Sequence, residues 1–410
     1  MKIADGFERA CDIAVARALE VQEELDIQKN NYEFLRKCAT TALGSKVVSK
    51  CQDHFADLAV KSVLHVADLD RKDVNFDLIK IVSKAGGAIE DSQFIEGIVV
   101  DKEFSHPQMT KEIKDAKVCI LTCPFEPPKP KTKHGLEIKN AQQYNELLKM
   151  EQDYFTNMVK SVKDSGANVV LCQWGFDDEA NHLLMQNGLP AIRWVGGVEI
   201  ELLAIATGAR IIPRFEEITP EKLGQAGVIK EISFGTSSDK VTLIQECAYS
   251  KAITVLIRGG SRTICDEAKR CLHDAICVVR NMVKNNNVVG GGGATELACS
   301  IAVAAEADKI KGVEQYAVRA FADALEEIPL TLAENSGYNP IDYVAKLREE
   351  QVSEDNPFIG VDANHKGTTN MHAQGIYESI MSKKQQLELA TQVVKMILKI
   401  DDVIAPKEYE

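Results

Sequence analysis

The stretch Val118-Cys119-Ile120-Leu121 is the first of several short aliphatic runs that alternate with helical patterns up to residue 212. The later runs are Asn168–Cys172, Ala191–Trp194 and Arg210–Ile212, and the helical patterns cover residues 141–164, 178–187 and 198–207. Gly188 and Gly208 stand where helix C-caps belong, because glycine adopts a left-handed conformation there without strain. Strands that alternate with helices in this way are typical of βαβ units. This part of the chain is therefore predicted to form a compact α/β domain.

Both flanks of this domain are helical in pattern. Residues 1–70 carry an apolar stripe at helical spacing, and residues 262–350 and 383–399 are again helical. The stripe consists of Phe7, Ala10, Cys11, Ala14, Val15, Ala18 and Leu19. The α/β domain thus resembles an insertion into a helical body, and the predicted fold class is a multidomain α+β protein.

Glycines mark both crossings between the helical body and the insertion. Gly86-Gly87 and Gly97 stand on the way in, and Gly259 and Gly260 stand on the way out. Glycine absorbs changes in φ and ψ at little cost, so Gly97, Gly259 and Gly260 are candidate hinges. Plain turns explain these glycines equally well.

The run Gly290 to Gly293 separates the apolar Val288-Val289 from a helical start, Ala294-Thr295-Glu296. Without Cβ atoms, main-chain N–H groups can approach a flat or anionic ligand, and the following helix start adds a partial positive charge. We expect a nucleotide there, with the lone acid Asp274 sixteen residues upstream on an amphipathic helix. Two other interpretations compete, and this segment alone favours them: the turn serves only close helix packing, and Arg270 with Asp274 forms an ordinary surface ion pair.

Composition narrows the class of protein. The chain has 410 residues, of which 45% are hydrophobic and 27% charged, so it can bury substantial cores in two or three domains. Its net charge of -13 disfavours binding to nucleic acid or to an anionic membrane, because phosphate affinity depends on clustered Lys and Arg. No apolar run approaches the roughly 18 residues of a membrane span, and no signal peptide is recognisable at Met1.

The eleven cysteines form no CxxC pair and lie mostly in apolar stretches. This pattern is typical of reduced, buried thiols in a cytoplasmic protein. Cys119 with Cys123, and the trio Cys265, Cys271 and Cys277, lack the ligand loops and histidines of a metal site, so no metal site is predicted.

Two further stretches have a structural and a functional interpretation. Asp177-Asp178-Glu179 with His182 could be a metal-dependent hydrolase site, but acids in the first turn of a helix are favoured by its dipole, and a helix start is expected. The proline-rich stretch Cys123 to Lys131 could bind a partner groove, although it is more typical of a stiff connector. The usual phosphate-loop, dinucleotide and hydrolase motifs do not occur.

Long irregular segments resemble a known family, the group II chaperonins of the TCP-1/TRiC type. The segments are Cys123–His134, Cys172–His182, Arg193–Gly197, Leu272–Ala275, the glycine run, Glu334–Gly337 and Leu398–Asp402. The resemblance runs from Met1 to the C-terminus. Such long matches are far more specific than a short glycine motif.

The resemblance implies a helical equatorial part, a small α/β intermediate domain and an inserted α/β apical domain with a helical protrusion. By this likeness the divisions are 1–22 (a residual N-terminal equatorial helix), 23–97 and 259–285 (intermediate), 98–258 (apical, polypeptide-binding) and 286–410 (equatorial, C-terminal part). Residues near 124–150 would form the protrusion. The helix near 198–207 would touch non-native polypeptide.

The resemblance also implies a nucleotide site for ATP and Mg²⁺. Asp274 would orient or activate the water that attacks the γ-phosphate. Gly291, Gly292 and Gly293 would line the nucleotide through their backbone, Asp362 would lie near the ribose and base, and Glu378 would face the ribose. A lone acid near a loop, such as Asp362 or Glu378, is otherwise usually solvated surface.

The chain departs from the family pattern in one respect that matters for ATP. The family's N-terminal equatorial part, with its Asn-Asp-Gly-Ala-Thr and Gly-Asp-Gly-Thr-Thr segments, has no counterpart in this sequence, and Gly367-Thr368-Thr369 is its only echo. Asn370 and Gly290 also differ from residues common in the family. Because phosphoryl transfer depends on such phosphate and metal contacts, we expect this chain to hydrolyse ATP poorly or not at all. We also expect Val393, Val394, Met396 and Ile397 to be left uncovered.

Two functions follow from these observations. The first is a subunit of an ATP-dependent cytosolic chaperonin, with other subunits in a hetero-oligomeric double ring and non-native polypeptides as clients. The second is a truncated, ATP-independent module that binds polypeptide or other subunits. Whether the chain acts as an ATPase stays open between them.

Overall fold

A computed structural model of the chain describes residues 2–27, 32–127, 135, 137–234, 239–249 and 251–404. The helices are α1 (Lys2–Glu20), α2 (Glu33–Ala42), α3 (Gln52–Val66), α4 (Ala141–Asp164), α5 (Asp178–Gln186), α6 (Gly197–Thr207), α7 (Arg262–Lys284), α8 (Ala294–Ala307), α9 (Glu314–Asn335), α10 (Pro340–Glu354), α11 (Met371–Gln374) and α12 (Ile380–Ile397). The strands are β1 (Glu23–Glu24), β2 (Ile79–Ala85), β3 (Gln93–Ile95), β4 (Gly97–Val100), β5 (Glu112–Leu121), β6 (Val169–Cys172), β7 (Ala191–Ile192), β8 (Ile211–Ile212), β9 (Gly224–Ser233), β10 (Lys240–Cys247), β11 (Ile253–Gly259), β12 (Asn287–Gly290) and β13 (Tyr377–Ser379).

The chain divides into two compact units, and the predicted multidomain α+β class is confirmed. The first unit comprises residues 1–60, 67–74 and 271–410, and the second comprises 61–66 and 75–270. The second unit is therefore inserted in the chain of the first. The five-part division into equatorial, intermediate and apical segments stays a prediction.

The second unit is built on a seven-stranded mixed sheet. Its strand order is β4-β10-β9-β5-β6-β7, with β8 paired to β5. The pairs β5–β6, β6–β7 and β5–β8 are parallel, so the predicted βαβ succession is confirmed. The strands β9, β10 and β4 extend the sheet with antiparallel pairs. A separate three-stranded sheet has the order β2-β11-β3.

The core of this unit explains why its central strands are continuous apolar runs. All four residues of β6 and the last four of β5 are buried, because helices and loops cover both faces of a parallel sheet. Helix α4 contributes Phe155, Met158 and Val162 to this core. Tyr144, Leu147 and Leu148, at helical spacing in the first part of α4, are exposed, so only the C-terminal half of α4 packs.

The predicted protrusion over residues 124–150 is described only in part. Residues 128–134 and 136 lie outside the described residues. The described part of this range consists of residues 124–127, 135 and 137–140 and the exposed first part of α4.

The first unit is a helical layer beside a small antiparallel sheet. Helices α1, α8, α9 and α12 surround a core of small and branched side chains, among them Ala10, Ala14, Ala18 and Val303. The alanines on α1 allow close helix packing, whereas Leu19 of the predicted stripe is exposed. The sheet has the order β1-β12-β13. Val393, Val394, Met396 and Ile397 on α12 are exposed, as expected from the sequence.

The cysteines lie mostly in the interior, as the sequence predicted. None of the eleven cysteines forms a disulfide, and seven are buried. Burial raises the pKa of Cys119 and Cys172 to about 12, which keeps both thiols protonated and unreactive at neutral pH. Across the described ranges, none of the helices has both the length and the apolar character needed to cross a bilayer.

Candidate functional site

A glycine turn joins the end of β12 to the start of α8. Gly292 and Gly293 have φ angles of 63° and 77°, in the left-handed region that favours glycine. Gly293 is the N-cap of α8 and no side chain caps this helix, so the first-turn N–H groups have no side-chain acceptor. Such an N-terminus attracts an anion through its N–H groups and its dipole.

Close packing within the chain also requires glycine in this turn. A Cβ on Gly291 would lie 2.8 Å from Ile376 Cγ2, and one on Gly292 would lie 2.8 Å from Met371 Sδ. On Gly293 a Cβ would lie 2.8 Å from Pro329 Cβ. Both interpretations of the run in the sequence are thus physically sound.

Two distant segments meet this turn. Val361 N donates to Gly292 O at 2.9 Å, which places residues 360–362 against the run. Gly291 N donates to Ile376 O at 3.2 Å, and Glu378 is the strand partner of Val289. The structure therefore brings the glycine run, Asp362 and Glu378 into one neighbourhood within the first unit.

Asp362 is buried, with only 4% of its surface exposed. Its Oδ1 accepts hydrogen bonds from Lys366 N (3.1 Å) and Gln374 Nε2 (2.9 Å), and its Oδ2 accepts from Gly367 N (2.7 Å). Burial alone would raise the pKa of this carboxyl, but the three donors outweigh burial and lower it. Asp362 is thus an ionised clamp for the loop 362–374 rather than solvated surface.

Aromatic side chains that the sequence analysis did not select surround Asp362. Tyr338 donates its hydroxyl proton to Asp362 O at 3.2 Å, and its ring stacks on Tyr343 with centroids 4.1 Å apart. Tyr338 Oη also lies 2.8 Å from His365 Nδ1. The segment Glu334–Gly337, which carried the resemblance, ends at this stack, but no local pattern predicts the contact.

Glu378 is held by a buried lysine. Lys383 Nζ contacts Glu378 Oε2 and lies 2.5 Å from Glu296 Oε1. Burial raises the pKa of Glu378, and the neighbouring Lys383 partly offsets this rise. The bridge that Lys383 forms between Glu378 and Glu296 is a second feature that sequence reasoning missed, since Lys383 and Glu296 are 87 residues apart.

Asp274 lies on α7, and its side chain is 57% exposed. Its carboxylate pairs with Lys46, which lies in the loop after α2. Arg270, the ion-pair partner considered from the sequence, donates from Nε to Glu267 Oε2 at 2.9 Å. Lys46 is 228 residues away in the chain, so spacing gives no signal for this pair. The contacts of Asp274 are thus with Lys46, and its catalytic role stays a prediction.

The hinge candidates differ in their surroundings. Gly97 begins β4 with a φ of 141°, and a Cβ there would lie 2.1 Å from Ile244 O. A Cβ on Gly259 would lie 2.9 Å from Cys265 Sγ, whereas Gly260 has no atom within 4 Å of that position. Close packing explains Gly97 and Gly259 locally, and their role as hinges stays a prediction.

The acidic stretch at residue 177 is a helix start, as predicted. Asp177 is the N-cap of α5 and accepts a hydrogen bond from Glu179 N at 3.2 Å. His182 Nε2 lies 2.9 Å from Gln186 Nε2, one turn further along the same helix. Among the residues the structure describes, no group of three or more His, Cys, Asp and Glu side chains could hold a metal ion.

The second unit exposes an aromatic and aliphatic surface around α6. Val198 is 72% exposed, and Ile205 on the same helix is also exposed. Trp194 precedes α6 by three residues, and Trp174 lies against it with ring centroids 6.2 Å apart; both side chains are half-exposed. Clustered exposed apolar side chains of this kind mark sites for protein contacts.

Comparisons with known proteins agree along the whole chain. Residues 1–408 match the model of the TCP-1/cpn60 chaperonin family. T-complex protein 1 subunit epsilon of Encephalitozoon cuniculi is 48% identical over 405 residues, which cover 99% of this chain and 75% of that protein. A thermosome subunit of Methanocaldococcus jannaschii is 37% identical over 406 residues, 99% of this chain and 74% of that protein. A solved open-state monomer of a group II chaperonin from Methanococcoides burtonii matches with a TM-score of 0.68 and 33% identity, over 97% of this chain and 92% of that one.

Proposed function

The chain belongs to the TCP-1/cpn60 chaperonin family, and from this premise we propose that it is a subunit of an ATP-dependent cytosolic chaperonin. In this proposal it assembles with other subunits into a hetero-oligomeric double ring. Non-native polypeptides are its clients, and the exposed surface around α6 contacts them. Its net charge of -13 argues against nucleic acid or an anionic membrane as a partner.

The observation that carries the proposal is the convergence of three segments at the start of α8. The uncapped N-terminus of α8 suits the nucleotide phosphates, and Glu378 is a nearby acceptor for ribose hydroxyls. Asp362 orders the loop beside them. The residues present therefore fit a nucleotide. Mg²⁺ usually keeps several waters and is bound through one or two carboxylates together with the phosphates.

Asp274 is proposed to orient the water that attacks the γ-phosphate. Its carboxylate is exposed, so a water molecule can reach it, and it forms an ion pair with Lys46. When bound, ATP would supply the phosphoanhydride bond that is cleaved, and Mg²⁺ would neutralise the negative charge of the phosphates.

The first test is titration calorimetry of the chain with a non-hydrolysable ATP analogue and Mg²⁺. We expect saturable binding that Gly292→Ala weakens by about tenfold or more, because the new Cβ meets Met371 Sδ and the left-handed backbone favours glycine. Gly312→Ala is the matched control, since Gly312 has a φ of 111° but no atom within 4 Å of a Cβ. Absence of binding in the unmodified chain, or equal binding by both variants, would contradict the assigned site.

The second test addresses Asp274 in a ring assembled from partner subunits and this chain extended by the family's N-terminal equatorial segment, which supplies the phosphate and metal contacts that hydrolysis needs. We expect Asp274→Ala to lower ATP turnover by about a hundredfold, because the attacking water loses its acceptor. Affinity for the analogue should change by less than about fivefold, the range of an exposed ion pair. Glu267→Ala, on the same helix and paired with Arg270, should leave turnover unchanged. Unchanged turnover in Asp274→Ala would refute the catalytic role.

The second candidate is an ATP-independent module that binds polypeptide or other subunits. The exposed side chains of Val198, Ile205, Trp174 and Trp194 favour it, since they need no nucleotide to contact a partner. Calorimetry separates the two functions: clear Mg²⁺-dependent binding of the analogue contradicts the module.

A further inference from the structure

Lys383 is the most deeply buried ion-paired lysine in the described part of the first unit. Only 5% of its surface is exposed, and the same holds for Glu296 on the first turn of α8. Lysine is almost never buried to this extent unless its ammonium is paired. Here the ammonium lies between two carboxylates, Glu296 Oε1 at 2.5 Å and Glu378 Oε2.

We propose that Lys383 is a positioning residue of the nucleotide site, which keeps Glu378 a carboxylate and turns its second oxygen toward the glycine run, where it accepts hydrogen bonds from ribose hydroxyls. This inference rests on the proposed function. It assigns Lys383 no contact with the nucleotide itself.

The geometry divides the two oxygens of Glu378 between two tasks. Oε2 contacts Lys383 Nζ, while Oε1 lies 3.5 Å from the position that a Cβ on Gly291 would take. Because Gly291 has no Cβ, Oε1 borders the backbone of the glycine run. A carboxylate fixed through one oxygen presents the other in a defined direction, which lowers the entropy lost when a sugar binds.

The charges explain why an ammonium is needed. Glu296 and Glu378 both approach Lys383, so without it the buried carboxylate of Glu296 and the partly exposed carboxylate of Glu378 would share one site, and such pairs retain a proton. Burial by itself would lower the pKa of Lys383, but both carboxylates raise it above its ordinary value, so the ammonium stays charged. A protonated Glu378 would be a weaker acceptor for hydroxyl groups.

Glu296 links the same lysine to the helix that begins at the glycine run. It stands in the first turn of α8, two residues after Ala294, and its Oε2 is buried without a hydrogen-bond partner in the described structure. A buried oxygen without a hydrogen bond lowers the free energy of unfolding, so Glu296 destabilises the fold in this respect. Lys383 thereby ties the phosphate-side helix start to the proposed ribose acceptor.

The test compares the affinity of the chain for Mg·ATP with that for Mg·2′,3′-dideoxyATP by calorimetry. The unmodified chain should prefer the ribonucleotide roughly tenfold or more, the size of a charge-assisted hydrogen bond. Lys383→Met should bring this preference close to one, and Lys383→Arg should preserve it. The matched control is Lys384→Met, because Lys384 is half-exposed and pairs with Glu388 on the outside of α12. A purely structural lysine would lower both affinities in parallel.

The outcomes separate the inference from the function on which it rests. No binding of either nucleotide by the unmodified chain overturns the proposed function and the inference with it. Binding with a preference that Lys383→Met leaves intact overturns only the role of Lys383. Should Lys383→Met fail to fold, Glu378→Gln retains the shape of the acceptor but removes its charge, and an undiminished preference in that variant also overturns the inference.

Discussion

The carboxylate of Asp362 accepts three hydrogen bonds from the loop that follows it, and this one side chain determines how that loop meets the glycine turn. The sequence does not predict these contacts, because two of the donors are backbone N–H groups and the third is a distant glutamine amide. Its donors lie four, five and twelve residues ahead, in a loop and in α11. A buried carboxylate with three donors is a structural anchor, and its neighbour Val361 then reaches Gly292.

Asp362→Ala should lower the free energy of unfolding of the first unit by about 2–4 kcal/mol, because it leaves Lys366 N, Gly367 N and Gln374 Nε2 without their acceptor. Amide exchange at Lys366 and Gly367 should accelerate in step. Asp323→Ala, at an exposed position on α9, should change stability by no more than about 0.5 kcal/mol. Equal effects of the two substitutions would disprove the anchor.

The difference in the free energy of unfolding between Asp362→Ala and the unmodified chain should become smaller as the pH falls. The folded pKa of Asp362 is lowered below its unfolded value of about 3.9, so its stabilisation is present above that pH. It is lost as the pH falls through the folded pKa, because protonation removes the acceptor charge. The two proteins should therefore converge in stability in acid.

At the scale of elements, the pairing of β4 with β10 shows how close packing can require a glycine at one position. β4 pairs with β10 in antiparallel register, with Gly97 opposite Gln245. Thr254 Oγ1 on β11 donates to Gly97 O at 3.0 Å and accepts from Val99 N at 3.1 Å. The backbone of β4 is thus held from two sides, and a side chain at Gly97 has no room.

Gly97→Ala should destabilise the second unit by roughly 2–4 kcal/mol, because the new Cβ would lie 2.1 Å from Ile244 O and the φ of 141° is strained for alanine. Both tryptophans of the chain, Trp174 and Trp194, belong to this unit, so their fluorescence reports its unfolding in urea. Gly260→Ala has open space at its Cβ and should change stability by about 0.5 kcal/mol or less. A neutral Gly97→Ala would mean that β4 can shift, as a hinge requires.

At the scale of the whole molecule, each unit has its own buried core, and the two units have separate tasks in the proposed function. The first unit gathers the glycine turn, Asp362, Glu378 and Lys383 from four parts of the chain. The second presents the exposed side chains around α6 on a rigid mixed sheet. The family match over residues 1–408 covers residues of both units.

The parts of the fold that could be predicted are those encoded by local pattern. β5 and β6 are continuous apolar runs because both faces of a parallel sheet are covered, and α4, α5 and α6 begin and end within one residue of the predicted helices. The antiparallel strands β9 and β10 were not predicted, because their pairing depends on contacts far apart in the chain. The exposed half of α4 was also missed, since periodicity gives an apolar face but not what covers it.

The sequence by itself determined the glycine turn, the inserted α/β unit and the family, because backbone freedom and hydrophobic periodicity act over a few residues and long irregular matches are specific. Only the tertiary structure decided which charges meet. Lys46 pairs with Asp274 across 228 residues, and Lys383 bridges Glu296 and Glu378 from two further elements. Such pairs leave no trace in spacing, because electrostatic partners are chosen by distance in space after the chain has folded.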